Sequence, residues 1–287
     1  MISTRTRAIL DRYSLASRAL SRTSGERLAS EAGQSVEFYD FRQYQRGDEL
    51  RYADWKVYAR TGRLYTRLFQ AERAIALYII LDTSPSMSLG NKASYAKVLA
   101  QLLSYVAQRD SVSQVYLLDG QHNPPMQGRA RIAETWGFID KAVKLEKLQI
   151  VQGLKDVAIK SKFPAGAGLA LVISALFDEA SLQPALVALK TRGLDASFLQ
   201  IMAEDDLNPE EAQLEVTDIE TGEKLQVTPD EVRAYKKSVQ NFIERTRRTI
   251  LRAGFRHVLL RVGEETQERL EREAFAALLR AGVLVKR

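Results

Sequence analysis

One short run of polar residues has the composition of a cation-binding turn. Asp82, Ser84 and Ser86 directly follow an apolar stretch, residues 74–81, that the sequence predicts to be a buried strand. A carboxylate and two hydroxyls are hard oxygen donors suited to Mg²⁺ or a similar divalent cation. Serine and aspartate are also preferred at helix starts, where they accept backbone N–H bonds. A metal site and a helix-capping turn are therefore both open interpretations of this segment.

The elements beyond residue 73 would position this segment at the edge of a sheet. Strand and helix patterns alternate there, which is typical of an α/β fold with a mainly parallel sheet of about six strands and helices on both faces. Strands are predicted at 74–81, 112–118, 169–174, 196–202 and 257–262, and helices at 92–108, 130–147, 151–160, 182–192, 229–253 and 266–281. Ligands of such sheets gather at the carboxyl ends of the strands, which is where Asp82 would lie.

Two regions depart from this alternation. Residues 214–227 have the pattern of two short strands about Thr221 and Gly222, which predicts a β-hairpin inserted into the α/β domain. Residues 1–30 predict one helix followed by a loop, and the aromatic and β-branched residues between Val36 and Phe69 predict a mostly extended subregion. We therefore predict a helix and β-rich extension at residues 1–73 and an α/β domain at residues 74–287.

Positive charge is concentrated in the N-terminal quarter. The net charge is +6, and residues 1–73 contain 14 Lys/Arg against 9 Asp/Glu. Aromatic residues interleave with these arginines at Tyr39, Phe41, Tyr44, Tyr52, Trp55, Tyr58, Tyr65 and Phe69. Such a pattern occurs on nucleic-acid stacking platforms and also in a small β-rich core. Nucleic-acid binding is therefore an alternative function for this region.

Composition argues against several other classes of function. The chain has no cysteine, so disulfides and thiolate chemistry are excluded, and its only histidines, His122 and His257, are not spaced as a catalytic triad or metal cluster. The longest apolar run, residues 74–81, is far shorter than the roughly 20 residues of a membrane-spanning helix. We expect a cytoplasmic protein without enzymatic activity or a small-molecule substrate.

Two motifs resemble known families. The run from Asp82 to Met87 resembles the first metal-ion-dependent adhesion site (MIDAS) motif of von Willebrand factor A-like domains, which have a Rossmann-like fold. The stretch 47–55, followed by Ala59 and Arg60, resembles the more specific motif of the bacterial domain-of-unknown-function family fifty-eight, and the segment 217–222 matches that family's hairpin. The resemblance extends over about residues 33–282.

The resemblance to the adhesion-site motif is incomplete. It implies a divalent cation at Asp82, Ser84 and Ser86, with a threonine from a second loop and an aspartate after a later strand as further ligands. The segment 152–156 contains no threonine, and Ala175 stands where the aspartate is expected. Asp178 follows three residues later, and Lys155 could place an ammonium group at the cation position. The sequence thus predicts a degenerate metal site.

The family resemblance also implies a partner. Members of family fifty-eight are commonly encoded beside MoxR-type AAA+ ATPases, which implies a chaperone-like adaptor in protein assembly or metal-cofactor insertion. ATP hydrolysis would belong to the partner. We expect the contact surface to include the loops around Asp82, with any bound cation completed by a carboxylate of the partner.

The family motif itself contains opposite charges around a tryptophan. Its chemistry-bearing residues are Asp48, Arg51, Asp54, Trp55 and Arg60. Arginine can form bidentate ion pairs with carboxylates, so the motif could be a network that ties the N-terminal region to the α/β domain. Arginine and tryptophan also often anchor interfaces, so a partner-binding surface is the other interpretation.

Overall fold

The computed structural model describes most of the chain. The described residues are 2–15, 36–46, 48–71, 76–142, 149–161, 168–178, 180–212, 214–217, 224–263 and 266–287. The chain divides into two units, a larger one of residues 1–19 and 75–287 and a smaller one of residues 20–74.

Strands and helices alternate through most of the larger unit. The strands of both units are β1 (Tyr13–Leu15), β2 (Val36–Gln43), β3 (Tyr65–Ala71), β4 (Ala76–Leu81), β5 (Ser113–Leu117), β6 (Gly168–Ser174), β7 (Leu194–Ala203), β8 (Leu214–Thr217), β9 (Lys224–Val227), β10 (Arg256–Val262) and β11 (Leu284–Lys286). The helices are α1 (Thr4–Leu10), α2 (Trp55–Thr61), α3 (Lys92–Asp110), α4 (Ile132–Asp140), α5 (Ile150–Lys160), α6 (Gln183–Thr191), α7 (Glu204–Leu207), α8 (Pro229–Arg252) and α9 (Gln267–Arg280). The smaller unit contains β2, β3 and α2.

A five-stranded parallel sheet forms the centre of the larger unit. Its strand order is β10-β7-β6-β4-β5, and every neighbouring pair is parallel. This confirms the predicted α/β class and is consistent with a Rossmann-like fold of the von Willebrand factor A type. The sheet has five strands instead of about six. Beyond β5 there are only two isolated antiparallel bridges, Ser113 to Met126 and Tyr116 to His122, in the described part of the chain.

The sheet is buried on both faces. Ile79 of β4 belongs to the same core cluster as Leu99 of α3, while the next residue, Ile80, belongs to the opposite cluster with Leu154 of α5. Successive side chains of a strand point to opposite faces, so an uninterrupted apolar run fits a strand covered on both sides. Each fully buried large side chain contributes about 1.5–3 kcal/mol by leaving water.

The first residues of the chain pack into the larger unit, which differs from the predicted boundary at residue 73. Ile2 and Leu10 are buried in the core on the α3 side of the sheet. The single helix predicted within residues 1–30 ends at Leu10, and β1 pairs with β11. After this helix the chain forms the strand Tyr13–Leu15, which pairs with Leu284–Lys286 near the other end of the sequence. Residues 16–35 lie outside the described part.

A buried carboxylate fixes this N-terminal segment. Glu271 of α9 accepts the backbone N–H of Ser3 at 3.0 and 3.1 Å and the hydroxyl of Thr6 at 2.6 Å. Burial raises the pKa of Glu271, but these hydrogen bonds outweigh it and hold the pKa below its ordinary value. The charged carboxylate is therefore the stable form of this contact.

The smaller unit contains an antiparallel pair and a short helix. Strands β2 and β3 pair with an irregularity between Phe38 and Asp40. Helix α2 interrupts the subregion that we predicted as mostly extended. It begins because the Asp54 carboxylate caps it, and it ends at Gly62, whose φ of +65° is in the left-handed region that glycine tolerates best.

The predicted hairpin pairing is also present. Strands β8 and β9 pair antiparallel, with Leu214 opposite Val227 and Thr217 opposite Lys224. The predicted turn at Thr221 and Gly222 lies outside the described residues. The same holds for the last residues of the helix predicted at 130–147, whose described part ends at Asp140.

Among the described residues, no helix combines the length and the apolar character that crossing a membrane requires.

Replacement of Leu10 by alanine tests the packing of the N-terminal helix. Leu10 is fully buried, whereas its neighbour Ile9 is 41% exposed. We expect Leu10→Ala to lower the free energy of unfolding by about 2–5 kcal/mol, because it leaves a cavity, and Ile9→Ala to change it by roughly 0.5 kcal/mol or less. Urea denaturation measures both values. Equal losses would show that α1 does not pack as described.

Candidate functional site

The Asp82 segment forms a buried turn at the carboxyl end of β4. Asp82 and Ser84 are each only 3% exposed. One Asp82 carboxylate oxygen accepts the backbone N–H of Ser84 at 2.7 Å, and the other accepts the hydroxyl of Ser174 at 2.5 Å. The hydroxyls of Ser84 and Ser86 are 3.0 Å apart. Both carboxylate oxygens of Asp82 are thus engaged by groups of the protein itself.

The turn does not cap helix α3, which was one of the two interpretations of this sequence. The residue that precedes α3 is Asn91, whose side chain makes no capping hydrogen bond and instead donates to the carbonyl of Gly263 at 3.0 Å. Ser84 precedes a short 3-10 helix, Pro85–Ser88, and its side chain makes no capping bond either. Asp82 therefore stabilises its own turn by accepting the Ser84 N–H.

The end of the neighbouring strand β6, with the loop that follows it, lies against the Asp82 turn. Ser174, its last residue, donates to Asp82 and accepts the backbone N–H of Leu176 at 2.8 Å. Leu176 has a φ of +59°, a conformation that is unfavourable for a leucine and is held by the surrounding contacts. Ala175, where the resemblance implies an aspartate, is fully buried. This loop therefore holds Asp82 by a hydroxyl and contributes no carboxylate at that position.

A buried lysine lies beside this turn. Lys92, the first residue of α3, is fully buried, and its ammonium donates to a carboxylate oxygen of Asp206 at 2.7 Å. The same oxygen accepts the backbone N–H of Ala203, and the Lys92 ammonium lies 5.6 Å from the ring centre of Phe177. The ion pair thus joins the start of α3 to helix α7, directly after β7.

A close backbone approach allows this pairing. Gly90, two residues before α3, has a φ of +56°, and a Cβ atom added there would lie 3.0 Å from the Cβ of Ala203. A larger residue would push the start of α3 away from the end of β7. Glycine at position 90 therefore keeps Lys92 within reach of Asp206.

The charge of Lys92 also acts on Asp82. Burial raises the pKa of Asp82, while hydrogen bonds from Ser174 and Ser84 and the positive charge of Lys92 lower it, and the net direction is upward. We considered Lys155 as the ammonium at this position, whereas the positive charge that acts on the pKa of Asp82 is that of Lys92. Lys92 is thus a buried source of positive charge that acts on Asp82 in addition to the hydrogen bonds.

The donor set does not fit a divalent cation. Such an ion needs several oxygen ligands free to coordinate it, and a neighbouring ammonium repels it. Each oxygen of Asp82 already accepts one hydrogen bond from the protein, and the described residues include no group of three or more Asp, Glu or His side chains that could supply the further ligands. The hydroxyl of Thr83 is buried without a hydrogen-bond partner. One such hydroxyl does not replace both ligands that the resemblance implies and this sequence lacks, the threonine of the second loop and the aspartate at position 175.

Asp178, which follows the expected ligand position, and Asp156, in the segment matched to the second loop, have structural contacts. Asp178 accepts the backbone N–H of Val151 at 2.9 Å at the start of α5, and that of Ala180 at 2.8 Å. Asp156 accepts from Gln152 and Lys160 along the surface of α5. Asp178 therefore orders a helix start and Asp156 belongs to a surface network.

The acidic residues of the 48–60 motif stabilise their own unit. Asp48 accepts from Arg42 at 2.7 Å, from the Gln45 N–H at 3.0 Å and from the Thr66 hydroxyl at 3.1 Å. The hydrogen bond from Gln45 is the largest influence on the pKa of Asp48, which lies below its ordinary value. These are contacts within the smaller unit.

Asp54 has the same role at helix α2. One of its oxygens accepts the N–H groups of Lys56 and Val57 at 2.9 and 3.0 Å, and the other accepts from Arg67 at 3.0 Å. The N–H of Val57 contributes most to lowering the pKa of Asp54. The arginines that pair with the two aspartates are thus Arg42 and Arg67, not the motif's Arg51 and Arg60.

The remaining motif residues are exposed. Trp55 is 55% exposed and meets Tyr58, 47% exposed, edge to face at 6.2 Å between ring centres. Arg51 pairs with Glu49 and lies 4.7 Å from the ring centre of Tyr52. Arg60 is exposed. The motif therefore separates into two buried or half-buried acids that order α2 and an exposed set of aromatic and basic side chains.

Sequence reasoning missed Lys92, although a signal for it was present. Lys92 lies four and seven residues before Ala96 and Leu99, on the buried stripe of α3. A lysine on that stripe needs an acidic partner, because an unpaired buried charge is costly. Its partner Asp206 had no distinguishing signal, since it is the last of three consecutive acidic residues, 204–206.

A half-buried histidine links two strands near this site. His257 of β10 hydrogen-bonds through Nε2 to the side-chain oxygen of Gln200 at 2.8 Å, and Gln200 donates to the carbonyl of Ala175 at 3.0 Å. Because the Gln200 oxygen can only accept, His257 Nε2 carries the proton. Burial lowers the pKa of His257 to about 4, so the imidazole is neutral at pH 7.

Breaking the buried ion pair should be costly. We expect Lys92→Met to lower the free energy of unfolding by about 3–5 kcal/mol, because Asp206 then loses its counter-charge. The double variant Lys92→Met/Asp206→Asn should recover part of that loss, which a double-mutant cycle by urea denaturation measures. Lys97→Met, at a partly exposed lysine of the same helix, is the matched control. Additive losses would contradict the pairing.

The neutral state of His257 predicts a pH dependence. The histidine pKa is 6.5 in the unfolded chain and about 4 in the fold, so the unfolded state binds the proton more tightly. The resulting stability is fully present above pH 6.5 and is lost as the pH falls towards 4, by roughly 2–3 kcal/mol. His257→Gln retains a donor but does not titrate, so its stability should fall less over this range. Parallel pH profiles of urea denaturation would contradict a buried neutral histidine.

Comparison with known proteins places the chain in a family. No curated protein matches the chain. The family model described as "Protein of unknown function DUF58" matches residues 40–248. The match begins in β2, covers the 48–60 motif, the Asp82 turn, the buried Lys92–Asp206 pair and the β8–β9 pair, and ends in α8. Because it spans most of the sequence, the chain belongs to the DUF58 family of proteins of unknown function.

Proposed function

We propose that this protein is a non-enzymatic adaptor that binds other proteins through the exposed aromatic and basic side chains of its 48–60 motif. The observation that supports this most is the exposure of Trp55, Tyr58 and Leu50, at 55%, 47% and 54%. Tryptophan, tyrosine and arginine are the residues most often found as energetic anchors of protein interfaces. We call this set, with Arg51 and Arg60, the motif surface.

The rigid support of these side chains favours binding. Asp54 fixes the start of α2 through three hydrogen bonds, and Trp55 is the first residue of that helix. An aromatic side chain on a capped helix loses less conformational entropy when a partner covers it than one on a free loop. The acidic residues of the motif would thus serve the function indirectly, by holding the surface in place.

The turn at Asp82 would have a different role from the one we first expected. Asp82 and Ser84 are buried, so a partner could reach mainly the following residues, such as Leu89, which is 45% exposed. We propose that this region contributes shape and hydrogen bonds and does not capture a partner carboxylate through a cation. The engaged carboxylate of Asp82 and the nearby charge of Lys92 support this view.

The proposed partner is a MoxR-type AAA+ ATPase, in a chaperone-like assembly or metal-cofactor insertion process. This partner follows from the family resemblance, in which the two kinds of protein are commonly encoded together. ATP hydrolysis would be performed by the ATPase. The contacts of both histidines support a non-catalytic role here, since His257 binds Gln200 and His122 lies within hydrogen-bonding distance of Gln114 and of the Asn123 carbonyl.

Capture from the native host tests the motif surface. We expect tagged full-length protein to co-purify with an AAA+ ATPase, and Trp55→Ala/Tyr58→Ala to reduce the recovered amount by about tenfold or more, which corresponds to roughly 1.4 kcal/mol. The matched control is Leu225→Ala/Tyr235→Ala, which removes two side chains exposed by 64% and 43% in the larger unit. Quantitative mass spectrometry measures the recovery.

Three results would contradict the proposal. Loss of the ATPase with the control variant but not with the motif variant would place the contact elsewhere. Recovery of no ATPase would remove the proposed partner. Recovery of nucleic acid that Trp55→Ala/Tyr58→Ala abolishes, with oligonucleotide binding that weakens steeply as salt rises, would favour the alternative that this region binds nucleic acid.

A further inference from the structure

One edge of the central sheet is open. Within the described residues, β10 pairs with β7 on one side and with no strand on the other. The opposite edge strand, β5, is partly covered by bridges to His122 and Met126. An edge strand presents alternate N–H and C=O groups that can pair with a further strand. The seven residues of β10 therefore offer backbone hydrogen-bonding groups for an extended segment.

A groove runs along this open edge. It has a volume of about 1230 Å³ and is lined by the edge strand from Arg256 to Arg261, by the end of α8 and the residues after it, and by one face of α9. The α9 face includes the small residues Ala276 and Ala277, and the opposite side includes Gly254. Small side chains leave room for a backbone next to β10. A strand flanked by a helix is the arrangement in which several peptide-binding domains accept an added strand.

The groove is positively charged, which determines what kind of extended segment would bind there. Four arginines line it, at positions 256, 261, 272 and 280, against one acidic residue, Glu273. Arg256 is paired with Asp195 and Glu273 with Arg269, whereas Arg261, Arg272 and Arg280 are exposed. A ligand with negative charge would therefore be attracted, and a lysine-rich one repelled.

We propose that this groove binds an extended acidic segment of a partner protein, which pairs with β10 as a sixth strand of the sheet. Backbone hydrogen bonds would align the segment with β10, and the exposed arginines would favour glutamate or aspartate side chains. The site is in the larger unit and shares no residue with the motif surface, so it is independent of the proposed function. A second copy of this chain fits less well, because pairing two β10 edges would bring the same arginines together.

A designed peptide tests the site directly. The probe is a fluorescein-labelled seven-residue peptide in which glutamate alternates with valine and threonine, added to the full-length protein. We expect saturable binding in fluorescence anisotropy and slower hydrogen exchange of alternate β10 amides. A peptide with lysine in place of glutamate, and one with alternate backbone amides N-methylated, should each bind about tenfold more weakly, or roughly 1.4 kcal/mol.

Paired charge reversals locate the binding. Arg261→Glu/Arg280→Glu should weaken binding of the acidic peptide by about tenfold or more, and Arg5→Glu/Lys237→Glu, which makes the same charge change at exposed residues outside the groove, should change it by about twofold or less. Unchanged circular dichroism would show that each variant is folded.

Several results would overturn the proposal. These are no saturable binding at millimolar acidic peptide, equal binding of the lysine or N-methylated peptides, equal weakening by both charge reversals, or exchange protection outside β10. A stable dimer in sedimentation velocity with β10 already protected in the absence of peptide would assign the groove to a second copy of the chain instead.

Discussion

The buried ion pair between Lys92 and Asp206 constrains how the start of α3 meets the end of β7. Lys92 is fully buried at the start of α3, the helix that packs on β4 and contacts α1, α4 and α9. A charge in that position is stable only with a counter-charge and hydrogen bonds. The chain therefore has to bring α7 to the start of α3, and Gly90 and Ala203 have to pass each other closely.

Asp82 is held by hydrogen bonds of its own at the end of the neighbouring strand β4. In a metal-dependent site, the cation would hold the first carboxylate, the hydroxyls and the second loop together. Here the Ser174 hydroxyl joins Asp82 to the β6 loop, and the Lys92 ammonium contributes positive charge. The polar side chains of the Asp82 turn are thus used in hydrogen bonds within the protein. The exposed side chains of the 48–60 motif and the open β10 edge are the two surfaces that we propose for partners.

The two surfaces differ in chemistry. The motif surface offers aromatic rings beside arginines on a capped helix, which suits a folded partner with a complementary pocket. The β10 groove offers backbone groups and positive charge, which suit an extended acidic chain. An adaptor that holds a folded ATPase and an extended client segment would use both kinds of surface, and each can be tested without the other.

Much of the fold could be predicted because its signals are local. Apolar runs such as Ala76–Leu81 alternate with amphipathic helices, and that alternation alone predicts a covered parallel sheet. The sequence predicted one helix and a loop within residues 1–30 but no strand at Tyr13–Leu15, because the pairing of these residues with β11 at the far end of the sequence decides their conformation. Distant pairing leaves no local pattern in a single sequence.

The candidate site was predicted only in part for the same reason. The turn at Asp82 followed from its position after a strand, and the missing ligand at Ala175 was visible in the sequence. Lys155 was considered as an ammonium at the cation position because it falls in the segment matched to the second loop. The position of Lys92 on the buried face of α3 was the stronger signal. The partner of Lys92 is 114 residues away and could be identified only in three dimensions.

The central claim is that the protein's own side chains engage the Asp82 turn without a divalent cation. Isothermal titration of the purified, chelator-treated protein with Mg²⁺ and then Mn²⁺ tests it most directly. The account predicts no saturable heat up to millimolar ion and the same thermal midpoint with and without the ion. One-to-one binding that is abolished by Asp82→Asn would contradict it and would show a working metal site at this turn.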